Sequence, residues 1–281
     1  MFAGLLSIRC KVVLLCLMVL PISGCILFIA HDLPNPPAPA PTEAPQPSGT
    51  LLKSQLRIGM SADYPPLTYK DGAFGLVGVE VDLAKQLGEG LGKEISFVEI
   101  PFPELINALV EDRVDIIMSG MSVTTERLKL VNFTDPYAPV GQMALIRAKD
   151  LALYPNVQVF SNTTQRVGFV QNTTGELAAR GVFLQAKIVP QATIEEGVLA
   201  LRKGDIDVFI HDAPTIWRIA GNPNEQELKG LYWRLTNENL AWAVRKGDDP
   251  LRFAINQQLA QLKDSGRLKQ ILSRWVTVRI W

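Results

Sequence analysis

Three stretches of the chain combine residue types that can hold a small charged molecule. The first is Ser119-Gly-Met-Ser-Val-Thr-Thr-Glu-Arg127. Ser119, Ser122 and the backbone N–H groups around Gly120 can donate or accept. Arg127 offers a planar fork that matches a carboxylate in two parallel hydrogen bonds. Such charge-assisted bonds contribute about 1.5–3 kcal/mol each. The same stretch also reads as a helix start capped by Thr124 or Thr125, with Arg127 in solvent. The second candidate is Asp212, which closes the apolar run Val208-Phe-Ile210 and His211. A carboxylate at the end of a buried strand is costly unless it meets a cation, so Asp212 either faces a ligand ammonium or caps the helix that follows. The third is Gln171-Asn-Thr-Thr-Gly175. It contains Thr173 and Thr174 and opens a helix whose free N–H groups suit a carboxylate. An ordinary capped turn reads equally well there. Tyr64 and Phe102 could stack on a ligand or pack in the core.

Much other chemistry is excluded. The three cysteines, Cys10, Cys16 and Cys25, all fall within the first 25 residues, and the two histidines are His31 and His211. The folded part therefore has no disulfide, thiolate zinc site or cysteine nucleophile, and too little histidine for a metal cluster or a Ser-His-Asp triad. No metal and no cofactor are expected. Lys+Arg and Asp+Glu balance at 28 each, so no basic field points to nucleic acid.

The elements that must position these residues alternate. Strands are expected at Leu56–Met60, Ile95–Ile100 and Asp115–Met118, with helices at Glu80–Leu91 and Pro103–Asp112 between them. A second run follows: strands at Val167–Val170, Ala186–Val189 and Asp207–Ile210, helices at Gly175–Phe183 and Ile194–Arg202. A further strand at Leu240–Val244 and two amphipathic helices, Leu251–Leu262 and Leu268–Trp275, close the chain. This pattern predicts an α/β fold with mostly parallel sheets. Glu111-Asp-Arg-Val-Asp-Ile-Ile-Met-Ser119 and Lys203-Gly-Asp-Ile-Asp-Val-Phe-Ile-His-Asp212 share one grammar: a polar helix end, an apolar residue and Asp, then a buried strand. Two α/β lobes that aim their strand ends at one cleft would produce this echo, and so would any two α/β units.

At the other end, Arg9 and Lys11 precede the apolar run Val12–Leu20 and then Ile22-Ser-Gly-Cys25. That is a signal-peptide layout over residues 1–25, and Ile-Ser-Gly-Cys resembles a bacterial lipobox with Cys25 as the lipidated residue. An uncleaved N-terminal anchor is the alternative, because the apolar stretch resumes through Ala30. Either way the rest of the chain lies outside the cytoplasmic membrane. Because this leader looks bacterial, the glycosylation-like Asn172-Thr-Thr174 is set aside. Leu33–Thr50 holds seven prolines and reads as an extended spacer within a 26–50 linker.

Taken in order, the motifs resemble the bacterial extracellular solute-binding proteins of family 3, which serve amino-acid ABC importers. The stretches that carry the resemblance are Leu56-Arg-Ile-Gly with Tyr-Pro-Pro66, Gly78-Val-Glu-Val-Asp-Leu-Ala84, Asp115 to Arg127, Phe133-Thr-Asp-Pro-Tyr137, Gly204-Asp-Ile-Asp207, Leu240-Ala-Trp-Ala-Val244, and Leu262-Lys-Asp-Ser-Gly266 to Trp275. The resemblance spans about 56–275. It implies a two-lobed periplasmic-binding-protein-like fold of type II with two hinge crossovers. Lobe 1 would comprise 51–143 plus 240–281, and lobe 2 would comprise 144–239. Carried over by position, Arg127 would hold a ligand α-carboxylate, helped by Thr174 and the backbone after Gly120, with Thr173 and Ser119 counted among the site residues. Asp212 and Ser122 would hold the α-ammonium, and Tyr64 and Phe102 would sandwich the side chain. Members that bind basic side chains often carry an acid where this chain has Ser61, so a polar ligand, neutral or acidic, is expected.

The function implied is extracytoplasmic capture of a free amino acid by a monomer. The monomer would be tethered to the membrane by a lipid anchor or N-terminal helix, and would deliver its cargo to ABC permease subunits. The alternatives are a ligand-sensing subunit of a signalling system and a cyclohexadienyl-dehydratase-like enzyme. The enzyme would need a further acid or base, for which Glu176 is the nearest candidate. A cell-wall-cleaving relative would need an added catalytic domain, and none is expected after Trp281.

Overall fold

The computed structural model describes residues 49–276. The expected signal peptide, Cys25 and nearly all of the spacer lie outside those residues. A 3-10 turn at Gly49–Leu52 leads into β1 (Gln55–Met60), then β2 (Asp63–Tyr64), β3 (Thr68–Asp71), β4 (Gly75–Val77), α1 (Val79–Leu91), β5 (Glu94–Glu99), α2 (Leu105–Val110), β6 (Ile116–Ile117), α3 (Thr125–Leu128) and β7 (Val131–Phe133). Next come β8 (Ala138–Val140), β9 (Gln142–Arg147), α4 (Val157–Ser161), β10 (Arg166–Val170), α5 (Thr174–Val182), β11 (Lys187–Gln191), α6 (Ile194–Lys203), β12 (Val208–Asp212), α7 (Ala213–Ala220) and β13 (Leu228–Leu231). The chain ends through β14 (Glu238–Leu240), β15 (Ala243–Arg245), α8 (Asp249–Asp264) and α9 (Arg267–Trp275).

Two five-stranded sheets result, in the orders β5-β1-β6-β15-β7 and β11-β10-β12-β9-β13. The expected parallel strands form the core of each: β5, β1 and β6 in one, and β11, β10 and β12 in the other. Both sheets are nonetheless mixed. β15 runs antiparallel to β6 and β7, and β9 runs antiparallel to β12 and β13. The antiparallel strands are those that follow the crossings between sheets. The chain leaves the first sheet through β8 into β9 and returns through β14 into β15, and β8 and β14 pair with each other. The single strand expected over 240–244 is therefore split. Leu240 pairs with Ala138 in the crossing ribbon, whereas Ala243 pairs with Ile117 and Phe133 in the first sheet. The boundary expected after residue 143 falls inside β9, whose residues pair with β12 from Gln142 onward. The helix expected at 103–112 begins as a 3-10 turn, Phe102–Glu104, and its α-helical part is Leu105–Val110.

Central strands are buried on both faces, as sheets covered by helices require. Val208 to Asp212 are all buried, and Ile58, Met60, Ile116 and Ile117 have no exposed surface. Helix α1 packs through Leu83 and Leu87, the stripe legible in the sequence.

The echo noted in the sequence has a physical counterpart. Asp115 accepts from Arg57 through its backbone N–H (2.9 Å) and its side-chain Nη2 (2.9 Å). Asp207 accepts from Arg166 through its N–H (3.1 Å) and Nη2 (2.8 Å). A second arginine completes each knot: Arg245 reaches Asp115 (3.3 Å) and the Val114 carbonyl (2.6 Å), and Arg147 reaches Asp207 (2.7 Å) and the Ile206 carbonyl (2.6 Å). Each knot ties the beginnings of two parallel strands to the end of the antiparallel strand beside them. Burial alone would raise the Asp207 pKa, but the hydrogen bonds from Arg166 and Arg147 outweigh it and hold the group at about 2. A lowered carboxylate pKa stabilises the fold above its unfolded value, and that stability is lost as pH falls through the folded value. Asp207→Asn is therefore expected to cost about 2–4 kcal/mol at neutral pH. The deficit should shrink between about pH 4 and pH 2, as the wild-type carboxylate protonates. Urea denaturation at neutral and acid pH checks this, and equal stability of the two proteins at neutral pH would refute it.

Candidate ligand-binding site

The carboxyl ends of β1, β6, β10 and β12 converge on one cavity of about 530 Å3, counted to its open mouth. Open α/β sheets bind ligands at such strand ends. Ser61, Tyr64, Phe102, Gly120, Ser122 and Arg127 line it from the side of the first sheet, and Thr173, Thr174 and Asp212 from the second. Of the residues singled out in the sequence, Ser119 does not reach the cavity wall. It is buried behind it, where its Oγ accepts the Ser61 N–H at 2.9 Å and lies 3.0 Å from Ser61 Oγ. It braces Ser61.

Arg127 sits on the short helix α3. The capping reading of this stretch holds and the solvated-arginine reading does not. Thr124 does cap the helix, accepting the Arg127 N–H at 3.2 Å, yet the Arg127 side chain is turned inward. Its Nη1 donates to the Ser122 carbonyl at 2.7 Å, and its guanidinium lies 5.3 Å from the centre of the Phe102 ring, a cation–π arrangement. Among the described residues no carboxylate pairs with it within salt-bridge distance. Burial pulls its pKa down, opposed by the fields of Asp212 and Glu238. A cation held this way has spare donors for an incoming anion.

Asp212 occupies the N-cap position of α7, but its side chain makes no capping bond. Its carboxylate instead accepts from the Tyr64 hydroxyl and from the Gln142 side-chain amide. Burial raises its pKa first and Glu238 adds to the rise, while Tyr64, Gln142 and Arg127 oppose them. The group settles at about 7. The Tyr64–Asp212 bond spans the cleft, since β2 belongs to the small sheet on the first side and β12 to the second sheet. Thr215 Oγ1 donates across the same gap to the Pro65 carbonyl at 3.3 Å. Thr173 turns its hydroxyl away, donating to the Val170 carbonyl at 2.6 Å. Thr174 Oγ1 faces the site and accepts from Gln142 Nε2 at 3.1 Å. Glu176 is engaged elsewhere, accepting the Asn172 N–H at 2.9 Å and pairing with Arg180 at 2.9 Å.

Three contributors were missed in the sequence. Glu80, in the first turn of α1, has no exposed surface. It accepts the Gly120 N–H (2.7 Å), the Tyr137 hydroxyl (2.8 Å) and the Trp242 Nε1–H (2.9 Å). It thus holds the loop that carries the candidate site to both crossings. Gly120 has φ 61°, and a Cβ there would lie 2.6 Å from the Tyr64 ring and from Leu67, so only glycine fits. Gln142 and Glu238 stand at the starts of β9 and β14. The legible signal for Glu80 was an acid flanked by Val79 and Val81 on an otherwise apolar face. Nothing local marks Gln142. His211, ambiguous in the sequence, lines the cavity. Its Nδ1 accepts the Asp212 N–H at 2.8 Å. Burial and the nearby Arg218 lower its pKa to about 3, so the ring is neutral and carries its proton on Nε2.

Two α/β lobes with one cleft between their strand ends, a spare guanidinium on one side and a buried carboxylate on the other, define a protein of the two-lobed periplasmic-binding type. The chain belongs to the bacterial extracellular solute-binding proteins, family 3, whose profile matches residues 56–278. It is 31% identical over 228 residues to the arginine-binding extracellular protein ArtP of Bacillus subtilis, covering 80% of this chain and 87% of that one. Among solved structures it resembles a protein described as a binding component of an ABC transporter from Wolinella succinogenes, complexed with lysine. The TM-score is 0.77 and the identity 31%, over 82% of this chain and 99% of that one. It also resembles the ancestral amino-acid-binding protein AncCDT-1, described as a precursor of cyclohexadienyl dehydratase, with TM-score 0.74 and 31% identity over 80% and 97% of the two chains.

Proposed function

We propose that this chain captures a free amino acid between its two lobes and delivers it to an ABC permease. The observation that carries this reading is the opposition of Arg127 and Asp212 on one cavity. A guanidinium without a counter-ion among the described residues suits an α-carboxylate, and a buried carboxylate suits an α-ammonium. The ligand would favour lobe closure by its differential affinity for the closed form. The lobes would be 49–141 with 241–276, and 142–240, divided where β8 gives way to β9 and β14 to β15. Tethering through Cys25 or an uncleaved leader belongs to the same reading, as does action as a monomer. Among the described residues no helix is long and apolar enough to cross a membrane.

For the side chain of the ligand, the supporting group is His211. A neutral ring with its proton on Nε2 presents a donor, and a donor matches an amide or carboxylate oxygen. Ser61 stands where an acid would favour a basic ligand, and its hydroxyl is committed to Ser119. Asp63 also borders the cavity but is exposed, so its field there is screened. A polar side chain, neutral or acidic, follows, in contrast to the arginine and lysine named for the relatives. Calorimetric titration of the purified full chain with the twenty amino acids is the test. Saturable binding of glutamine-like or acidic ligands is expected. Tight binding of arginine or lysine alone would overturn the side-chain assignment and leave capture standing.

One observation favours the dehydratase alternative: an Asp212 that holds a proton near neutrality could serve as a general acid. Adding prephenate to the same titration separates the readings, since continuous heat of turnover would support the enzyme and its absence the binding protein.

A further inference from the structure

Gln142 and Glu238 open the two strands that follow and precede the crossings, and both reach the candidate site. Gln142 is almost wholly buried. Its Nε2 faces three acceptors: Asp212 Oδ1, Thr174 Oγ1 at 3.1 Å and Glu238 Oε1 at 3.3 Å. Two carboxylates against one amide fix its orientation, because a flipped amide would set an oxygen against both. The consequence is that Gln142 Oε1 and Glu238 Oε2 are buried without a hydrogen-bond partner among the described residues. Each such unpaired acceptor costs about 1–3 kcal/mol. Groups left unsatisfied in a native interior mark positions kept for something other than stability.

Asp212 is met from several elements. Tyr64 of β2 and Gln142 of β9 donate to it. Glu238 of β14 repels its charge and Arg127 of α3 attracts it. The phenol of Tyr137, which immediately precedes β8, lies within its field. On its own strand His211 is neutral, and its Nδ1 is occupied by the Asp212 N–H. Among these, Glu238 is the one carboxylate close by. Its Oε1 is held by the Thr236 hydroxyl at 2.5 Å, so it cannot swing clear.

We propose that Gln142 and Glu238 are positioning residues that make capture of an ammonium at Asp212 proton-linked. Gln142 holds the carboxylate in place, and Glu238 makes the empty carboxyl retain a proton that it releases to solvent when the ammonium arrives. The inference rests on the amino-acid-capture reading. In the exchange, the protonated Asp212 loses its proton to buffer and the resulting carboxylate pairs with the ligand ammonium. No other bond changes. The placement of Asp212 near neutrality agrees with this, because its proton is then partly bound at the working pH. Affinity should be flat above that range and should fall by about tenfold per pH unit well below it.

The experiment is calorimetric titration of the full chain with the twenty amino acids, the binders then being repeated in buffers of different ionisation enthalpy near pH 6, 7 and 8. For whichever binds, wild-type protein should release about half a proton at pH 7 and progressively less above it. Glu238→Gln removes the repelling charge, so the release should move to lower pH and nearly vanish at pH 7. Gln142→Met keeps the volume and removes the donor, so the release should move to higher pH, with affinity at pH 7 about tenfold weaker. A merely structural role for the two residues would not shift the pH profile in opposite directions. Saturable binding without proton release, or with release that both variants leave in place or move the same way, overturns the proposal alone. Absence of saturable binding by any of the twenty amino acids overturns capture and the proposal together.

Discussion

Arg127→Met is expected to weaken amino-acid binding by about 30-fold to several thousand-fold while leaving the free protein as stable as before. The first half follows from charge. Removing one partner of a desolvated, hydrogen-bonded pair costs about 2–5 kcal/mol, because the ligand carboxylate is then buried without a counter-charge, and each 1.4 kcal/mol is about tenfold in affinity. The second half follows from the structure. Arg127 has no carboxylate partner among the described residues, and burial already disfavours its charge. Methionine keeps the packing on Phe102 and removes that penalty. Calorimetry with the best binder of the amino-acid panel measures the first effect, and a thermal melt of unliganded protein measures the second. A variant that binds normally would show that Arg127 is not the carboxylate clamp. A variant that melts much earlier would show that the guanidinium serves the fold.

Glu80→Leu is expected to be the most damaging single change for stability, by about 3–5 kcal/mol or more. Three buried donors depend on this carboxylate: the Gly120 N–H, the Tyr137 hydroxyl and the Trp242 indole. Each donor left unpaired costs about 1–3 kcal/mol. Burial raises the Glu80 pKa and the three hydrogen bonds oppose it, so the group is a compromise between desolvation and pairing. Glu80→Gln retains one oxygen for Gly120 and Tyr137 but turns an NH2 towards Trp242, so about a third of the loss is expected. Denaturant midpoints of the two variants give the comparison. Near-equal stability of wild type and Glu80→Leu would mean that the loop around Gly120 is held by something else. Glu80 also ties that loop to Tyr137 and Trp242, which flank the two crossings. Glu80→Gln should therefore loosen ligand binding more than its stability loss alone suggests.

The two aspects of the molecule were unequally legible. Alternating strands and helices with regular apolar stripes placed most elements to within two residues, because burial of one face is written locally as period 2 or 3.6. The shared grammar around Asp115 and Asp207 was legible in the same local way, but not the arginine knots that each acid forms. The strands that make the second sheet mixed were not seen, and the one that does so in the first sheet, β15, was read as continuous with β14. β9 and β13 have no partner within their own neighbourhood and acquire strand character only when the chain crosses and pairs antiparallel with β12 and with each other. Leu240 to Val244 looks like one strand because five apolar residues read alike, whichever sheet receives them.

Composition and motif order by themselves pointed to an α/β solute-binding protein of family 3, and they named Arg127, Asp212 and Tyr64 as the residues to watch. Only the tertiary structure decided which side chains share the cavity. Ser119 fell behind its wall, the Thr173 hydroxyl turned away, His211 and Gln142 came into the lining, and Glu80 came in behind the Gly120 loop. The physical reason is that hydrogen-bond geometry between residues far apart in the chain, such as Glu80 with Trp242, 162 positions away, and Gln142 with Asp212, 70 positions away, leaves no periodic trace in a linear sequence. It exists only once two sheets are set edge to edge across a cleft and each buried polar group must find the partner that packing brings near.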